Sequence, residues 1–207
     1  MTRKTFAFCT SLLGLATLLA ATQADALERI RIRSGGKDAN TVTIDETSTP
    51  PKITVSAGVA VRGAPGALID LGGGEYEILV AGDAAYHVKT RGGVDSITVL
   101  DGPGDSTYWL GAGAESDTLF VQDGPGADEY KIEGKGGDDV YDIFDDAGDG
   151  DDYYYVKAAK GSDVININDG PGDDKYKVKA KPEATLNFTD ASGDDDFIKT
   201  KPKSLAP

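Results

Sequence analysis

Apolar residues recur at a regular spacing through residues 82–199. One series places an aromatic residue every 21 to 24 positions, and a second series lies about midway between its members. The first series is Tyr86, Tyr108, Tyr130, Tyr154, Tyr176 and Phe197, and the second is Ile97, Leu119, Tyr141, Ile165 and Leu186. A repeat of fixed length is typical of solenoid and other repeat architectures.

Each half of the repeat combines a short strand with a turn. Apolar residues alternate with polar ones, as in Tyr176-Lys177-Val178, so both apolar side chains face the same side of a strand. The segment between strands is rich in Gly, Asp and Pro, the residues that favour turns. Two strands per coil of about 22 residues, without a third apolar ladder, predict an all-β parallel β-roll or β-helix solenoid.

The turns form two series, which the solenoid places on opposite edges. We name them the first edge and the second edge. The first edge comprises 101–106, 123–128, 147–152, 169–174 and 190–195, and the second comprises 90–95, 112–117, 134–139, 158–163 and 179–184. Asp is concentrated on the first edge, whereas the second edge also contains basic residues such as Arg91, Lys135 and Lys160.

Three first-edge segments carry a family resemblance. DGPGADEYK (123–131), AGDGDDYYY (147–155) and DGPGDDKYK (169–177) resemble the nonapeptide G-G-x-G-x-D-x-U-x of the repeats-in-toxin, or hemolysin-type, β-roll family. The chain departs from that pattern because its first position is usually Asp and each repeat has two extra residues. The resemblance implies calcium ions between stacked turns, held by sixth-position carboxylates and backbone carbonyl groups.

The resemblance identifies eight candidate calcium ligands on the first edge. The sixth-position acids are Asp128, Asp152, Asp174 and Asp195, and the first-position acids beside them are Asp123, Asp146, Asp169 and Asp190. Asp101 begins the same first-position column, in a turn whose sixth position is Ser106. Independently of any family, Ca²⁺ prefers oxygen ligands, and stacked carboxylates about 5 Å apart repel one another unless they are neutralised or solvated. The alternative is that these Asp residues only stabilise turns. The second-edge acids are weaker candidates because nearby lysines can neutralise them.

The two ends of the chain differ from the repeats. Residues 1–26 resemble a secretory signal peptide, with an apolar run and an Ala24-Asp25-Ala26 cleavage site. Residues 27–81 predict an N-terminal β cap or irregular coils, with strands at 52–56, 59–62, 67–71 and 75–80. Within them, 35–43 resembles a degenerate repeat with Asn40 in the Asp position, and 200–207 is predicted to be a tail.

Charge limits the range of partners. The chain has a formal net charge of −14, which disfavours nucleic acid and anionic membranes and favours calcium ions. An extracellular polysaccharide or protein is a further candidate partner. After signal cleavage no membrane-spanning segment is expected, so the mature protein is predicted to be secreted or periplasmic.

These features favour a non-enzymatic, calcium-binding structural or interaction module, such as an adhesion or matrix component. His87 is the only histidine, and no nucleophile motif accompanies it. Two alternatives remain open: a carbohydrate-active β-helix enzyme, and an adhesin whose Asp columns work without calcium.

Overall fold

The computed structural model describes residues 28–80, 84–145, 150–168, 170–189 and 193–200. The predicted signal peptide, and all of the predicted tail except Thr200, lie outside these residues. The described residues contain no helix long and apolar enough to cross a membrane.

Short strands make up most of the described chain. In chain order they are β1 (Glu28–Ser34), β2 (Thr41–Asp45), β3 (Lys52–Val55), β4 (Val59–Arg62), β5 (Leu68–Gly72), β6 (Glu75–Ile78), β7 (Ala84–Lys89), β8 (Ser96–Leu100), β9 (Thr107–Gly111), β10 (Thr118–Gln122), β11 (Glu129–Glu133), β12 (Val140–Phe144), β13 (Tyr153–Lys157), β14 (Val164–Asn168), β15 (Lys175–Lys179), β16 (Thr185–Thr189) and β17 (Asp196–Thr200).

Two sheets share these strands between them. One has eight strands in the order β17-β15-β13-β11-β9-β7-β1-β4, and the other has nine in the order β16-β14-β12-β10-β8-β2-β3-β6-β5. Successive coils pair in parallel, as in the match of Tyr130 with Tyr108 on one side and with Tyr154 on the other. The predicted two-strand-per-coil parallel solenoid is therefore confirmed.

The tyrosine ladder forms one wall of the core. The register places Tyr86, Tyr108, Tyr130, Tyr154 and Tyr176 directly above one another, each at most 1% exposed. Neighbouring rings are nearly parallel, with centroids 4.8–5.0 Å apart and interplanar angles of 4–8°. This separation is close to the spacing between strands, so the backbone ladder itself sets the ring stack.

The opposing wall is built mainly from smaller side chains on the nine-stranded sheet. Ile97, Leu119 and Ile165 are at most 1% exposed, and Tyr141 is the one larger member of this ladder. Full burial of such a side chain contributes about 1.5–3 kcal/mol to folding. A large ladder facing a mostly smaller one allows two close-packed sheets without a third wall.

The N-terminal end of the solenoid is covered by antiparallel strands. β1 and β2 form the first coil, β4 pairs with the outer edge of β1, and β3 pairs with the outer edge of β2. β6 and β5 then extend the larger sheet. The strands expected at 52–56, 59–62, 67–71 and 75–80 are present with ends shifted by at most two residues. Covered edges cannot add strands from another chain.

Glycine lets successive turns approach closely. A Cβ at Gly126 would fall well inside contact distance of the Gly104 carbonyl oxygen in the preceding coil. On the second edge, Gly137 has a φ of 98°, a conformation that L side chains rarely adopt. The turns can therefore stack at the same spacing as the strands, which brings their side chains into columns.

Candidate metal centre

The sixth-position Asp residues of the first edge form a continuous ladder with the backbone. The N–H of Ser106 donates to Oδ1 of Asp128 at 2.5 Å, and the N–H of Asp128 donates to Oδ1 of Asp152 at 2.6 Å. The same bond joins Asp152 to Asp174 at 2.7 Å and Asp174 to Asp195 at 2.9 Å. Each Asp therefore extends the strand pairing into the turn and fixes the register of the next coil.

The second edge has the same ladder. The N–H of Asp95 donates to Oδ1 of Asp117 at 2.8 Å, and Asp117 and Asp139 continue the series at 2.9 and 3.0 Å. The ladder begins at Asn40, whose backbone N–H donates to Asp95 at 2.9 Å, so residues 35–43 do act as a repeat turn. A sixth-position Asp thus has a structural role on both edges, whether or not it binds an ion.

A second acidic column distinguishes the first edge. Asp101, Asp123 and Asp145 each follow the second apolar residue of a strand by two positions and are 1–3% exposed. Glu46 precedes them in the same relation to β2 and is 9% exposed. These carboxyl groups lie beside the hydroxyl groups of the stacked tyrosines, inside the coil rather than on its surface.

Tyrosine hydroxyl groups donate to this inner column. Asp101 accepts from Tyr108 at 2.6 Å and from Tyr130 at 2.7 Å. Asp123 accepts from Tyr154 and shares the single hydroxyl hydrogen of Tyr130 with Asp101. The phenol rings therefore connect the apolar core to the acidic edge, and their hydroxyl hydrogens favour the charged form of the acids.

The two columns meet in two carboxylate triads. One oxygen from each of Asp101, Asp123 and Asp128 lies within 4.8 Å of the others, and the same holds for Asp123, Asp145 and Asp152. All five residues are buried, and Asp123 belongs to both triads. Oxygens on opposite sides of a Ca²⁺ ion lie about 4.6–5.2 Å apart, because Ca–O distances are about 2.3–2.6 Å. The spacing of the triads suits a calcium ion, and their all-oxygen donor set suits it better than zinc.

Some oxygens beside the triads lack hydrogen-bond partners among the described residues. Oδ2 of Asp128 and Oγ of Ser106 are fully enclosed without one, as is Oδ2 of Asp174 in the next part of the column. Asp128 itself is 2% exposed. A buried carboxylate oxygen without a donor is costly, and a cation bound in the triad would satisfy it.

The acidic columns hold protons unusually strongly. Burial raises the pKa of Asp101 to about 7, against the opposing effect of hydrogen bonds from Tyr108 and Tyr130. Burial and the negative charge of Asp101 raise the pKa of Asp128 to about 8. Burial and the adjacent Asp123 raise the pKa of Asp152 to about 10. At neutral pH this edge therefore needs either protons or a cation to be neutral.

The eight predicted ligands have different positions. Asp123, Asp128 and Asp152 belong to the triads, whereas Asp174 and the half-buried Asp195 belong to the hydrogen-bonded ladder. Asp146, Asp169 and Asp190 lie outside the described residues.

Two triad members were absent from that set. Asp101 was placed in the first-position column but not among the eight ligands, and the structure brings it to Asp128 of the next turn. Asp145 was missed because alignment from the Gly residues favoured Asp146. Counting two positions on from Ile143, as from Val121 to Asp123, selects Asp145. The hydrogen bonds from the tyrosines had no clear sequence signal.

Comparisons with protein-family models, curated proteins and solved structures each gave no match. The likeness of the turns to the repeats-in-toxin nonapeptide therefore rests on the residues of this chain. The triads add a physical reason for cation binding that does not depend on that likeness, because enclosed carboxyl groups that have lost their protons need a counter-charge.

Proposed function

We propose that this protein is a calcium-binding β-solenoid that acts as a non-enzymatic structural or interaction module outside the cytoplasm. One observation carries the proposal: five enclosed carboxyl groups form two triads around Asp123, and Oδ2 of Asp128 has no described partner beside them. The proposed relation to the repeats-in-toxin family is consistent with this chemistry. The signal-like residues 1–26 support export to a calcium-rich compartment.

Calcium acts in this proposal by coupling ion binding to the stacking of coils. Each triad takes acids from two successive first-edge turns, so an ion bound there joins coils that the unfolded chain leaves apart. Neutralising the column removes the repulsion between stacked acids, and the strand ladder and tyrosine stack then form without that opposing cost.

Titration of calcium into EDTA-treated protein tests the proposal. Extracellular calcium modules bind with Kd values of about 10⁻⁴–10⁻³ M, so about 10 mM calcium stabilises the fold by about 1.4–2.7 kcal/mol per site. We expect the melting temperature from circular dichroism to rise by about 3–10 °C per site. Bound calcium is then counted by mass spectrometry of the gently purified protein.

A matched pair of variants locates the site. Asp128→Asn and Asp117→Asn each remove one carboxylate charge while keeping an oxygen that can accept the N–H of the preceding coil. We expect Asp128→Asn to lose most of the calcium response and Asp117→Asn to keep it. Equal responses in the two variants would contradict a first-edge site.

A calcium-independent scaffold is the second candidate, and the second edge favours it. That edge builds the same Asp ladder beside basic residues, so Asp columns can serve register alone. In that case calcium leaves the melting temperature of the wild-type protein unchanged, and mass spectrometry finds no bound metal. Enzymatic activity has no comparable support, since the triad carboxyl groups are enclosed and a polysaccharide substrate cannot reach them.

A further inference from the structure

Basic residues are concentrated on the outer face of the eight-stranded sheet. β8, β10, β12, β14 and β16 of the other sheet contain no Lys or Arg. On the eight-stranded sheet, outward positions hold Arg29, Arg31, Arg33, Arg62, Lys89, Lys131, Lys157, Lys175, Lys177 and Lys179. Acids at outward positions of the described strands of this sheet are fewer, namely Glu129, Glu133 and Asp196, so a chain with a net charge of −14 has one cationic face.

The cations are densest in a cleft near the N-terminal end of this face. The cleft has a volume of about 440 Å³, and its basic lining residues are Arg31, Arg33, Arg62, Lys89 and Arg91. The remaining lining residues are Ser34, Gly35, Gly58 and Ala60, so no acid takes part. Register explains the cluster, because strand pairing puts Arg31 beside Arg62 and Arg33 beside Lys89.

These five cations have no ion pair within the described chain. The described salt bridges lie further along the solenoid, between Lys131 and Glu133 and between Lys175 and Asp196. Small residues leave the floor of the cleft open, and the five charged side chains surround it without an internal counter-charge. Such an arrangement concentrates positive potential and attracts anions. Burial and the charges of Arg33 and Arg31 accordingly lower the pKa of the neighbouring His87.

We propose that this cleft binds the carboxylate groups of an extended acidic polysaccharide. Guanidinium groups donate paired hydrogen bonds in a geometry that matches carboxylates. The row that starts at Arg62 and Arg31 continues across the sheet through His87 and Trp109 to Lys131, along the solenoid axis. An extended polymer fits this row better than a compact ligand does.

The same face is poorly suited to nucleic acid. The Trp109 ring stacks on His87 with centroids 4.0 Å apart, and Nζ of Lys131 lies 4.5 Å from the Trp109 ring centroid. These neighbours come from the strands on either side of β9, so the Trp109 ring has no open face for a base to stack on. The acidic edges of the solenoid also repel duplex DNA, which carries one charge per about 1.7 Å of its axis, more strongly than a single polysaccharide chain with one charge per sugar unit.

Binding of polygalacturonate, measured by affinity electrophoresis in buffer without added calcium so that the polymer is not cross-linked, tests the inference. The fully methyl-esterified polymer serves as the uncharged ligand control. We expect the double variant Arg31→Gln/Arg33→Gln to bind polygalacturonate at least about tenfold more weakly than the wild type. Lys135→Gln/Lys160→Gln, which removes the same charge from exposed second-edge turns, should bind as the wild type does.

Several outcomes would overturn the inference. If calcium bridges the polymer to the first edge, both double variants will bind polygalacturonate equally well. If the esterified polymer binds as tightly as polygalacturonate, the cleft does not recognise carboxylates. Preferential binding of single-stranded nucleic acid or of an acidic protein would replace the proposed ligand. If the Arg31/Arg33 variant fails to fold, Arg62→Gln/Arg91→Gln replaces it. The wild type must also lose affinity as salt rises, because the contacts are ionic.

Discussion

The two edges of the solenoid share one backbone device and differ in what lies behind it. Both use a sixth-position Asp to accept the N–H of the preceding coil, at 2.6 Å for Asp128 and Asp152 on the first edge and 2.9 Å for Asp117 and Asp139 on the second. Within the described residues, only the first edge adds an inner column of acids, which lies beside the hydroxyl groups of the stacked tyrosines. The ladder therefore specifies register, and the inner column creates the candidate cation site.

This difference separates two roles that the turn motif combines. A sixth-position Asp supports the register of successive coils on both edges, so its recurrence alone does not indicate an ion. The first-position acid makes no such bond between coils: it accepts the N–H of the glycine that follows it and the hydroxyl groups of the tyrosines. Asp123 is an example: it is hydrogen-bonded to two tyrosines and belongs to both triads, while the ladder through Asp128 continues beside it.

The largest expected effect is a fall in stability as pH rises, and calcium should suppress part of this fall. The raised pKa values mean that the folded, calcium-free protein keeps protons that the unfolded chain, with acid pKa values near 4, releases. Unfolding free energy therefore falls as pH rises from about 4, by about 1.4 kcal/mol per pH unit for each extra proton held. The first edge extends the fall through pH 7 and 8, where Asp101 and Asp128 titrate.

The second edge provides the internal comparison for this prediction. Burial raises the pKa of Asp117 only to about 6, so its share of the fall ends near that pH. Urea unfolding from pH 4 to 9, with EDTA and with about 10 mM calcium, measures the contributions of both edges to the fall in unfolding free energy. We expect calcium to suppress the fall above pH 6 and to leave much of the fall below it. A calcium-free protein whose stability is constant from pH 4 to 8 would contradict the proton-loaded first edge.

Much of the fold follows from the sequence because the solenoid repeats one local rule. Alternation of apolar and polar residues specifies which side chains face inward, and a recurring Gly-Asp turn specifies the coil length. Tyr86 through Tyr176 could be placed in one stack by counting alone. The covering strands β3 to β6 follow no such period, and their antiparallel pairing depends on which edge needs protection.

The candidate site was less predictable, for a physical reason. Carboxylate triads arise from residues of different coils, and their membership depends on side-chain direction as well as register. Asp145 and Asp146 are indistinguishable by composition, and only the distance from Ile143 separates them. Whether Asp123 faces the tyrosines or the solvent depends on the turn path, which the residue pattern does not specify.

Removing an inner acid should destabilise the protein more than removing a ladder acid. In calcium-saturated buffer, Asp123→Ala deprives Tyr154 of its acceptor, takes one of two acceptors from Tyr130, and removes a ligand from both triads. We expect a loss of about 3–5 kcal/mol, typical of breaking a buried polar network. Asp117→Ala removes the acceptor of the Asp95 N–H and should cost about 1–3 kcal/mol.

Denaturant unfolding of both Ala variants, with and without calcium, makes the comparison specific. Without calcium, Asp123→Ala also relieves repulsion in the acidic column, so the gap between the two variants should shrink. If the difference in unfolding free energy between the two variants is the same in EDTA as in calcium, Asp123 acts only as a hydrogen-bond acceptor and is not a calcium ligand.

The smallest expected effect comes from single tyrosine hydroxyl groups, and it tests whether they orient metal ligands. Tyr154 donates to Asp123, whereas Tyr141 on the opposing ladder donates to the second-edge Asp139 at 3.0 Å. Substitution by Phe removes one hydroxyl and keeps the ring, so each variant should lose about 1 kcal/mol of stability in EDTA. The two should differ in calcium affinity, because hydrogen bonds to a ligating carboxylate fix its orientation and their loss weakens metal binding about 10–100-fold. We expect the calcium midpoint, measured by circular dichroism during titration, to rise about tenfold for Tyr154→Phe and to stay at the wild-type value for Tyr141→Phe. Equal midpoints in the two variants would show that the tyrosine ladder supports the core alone, and the acidic column would then bind its ion without help from the phenols.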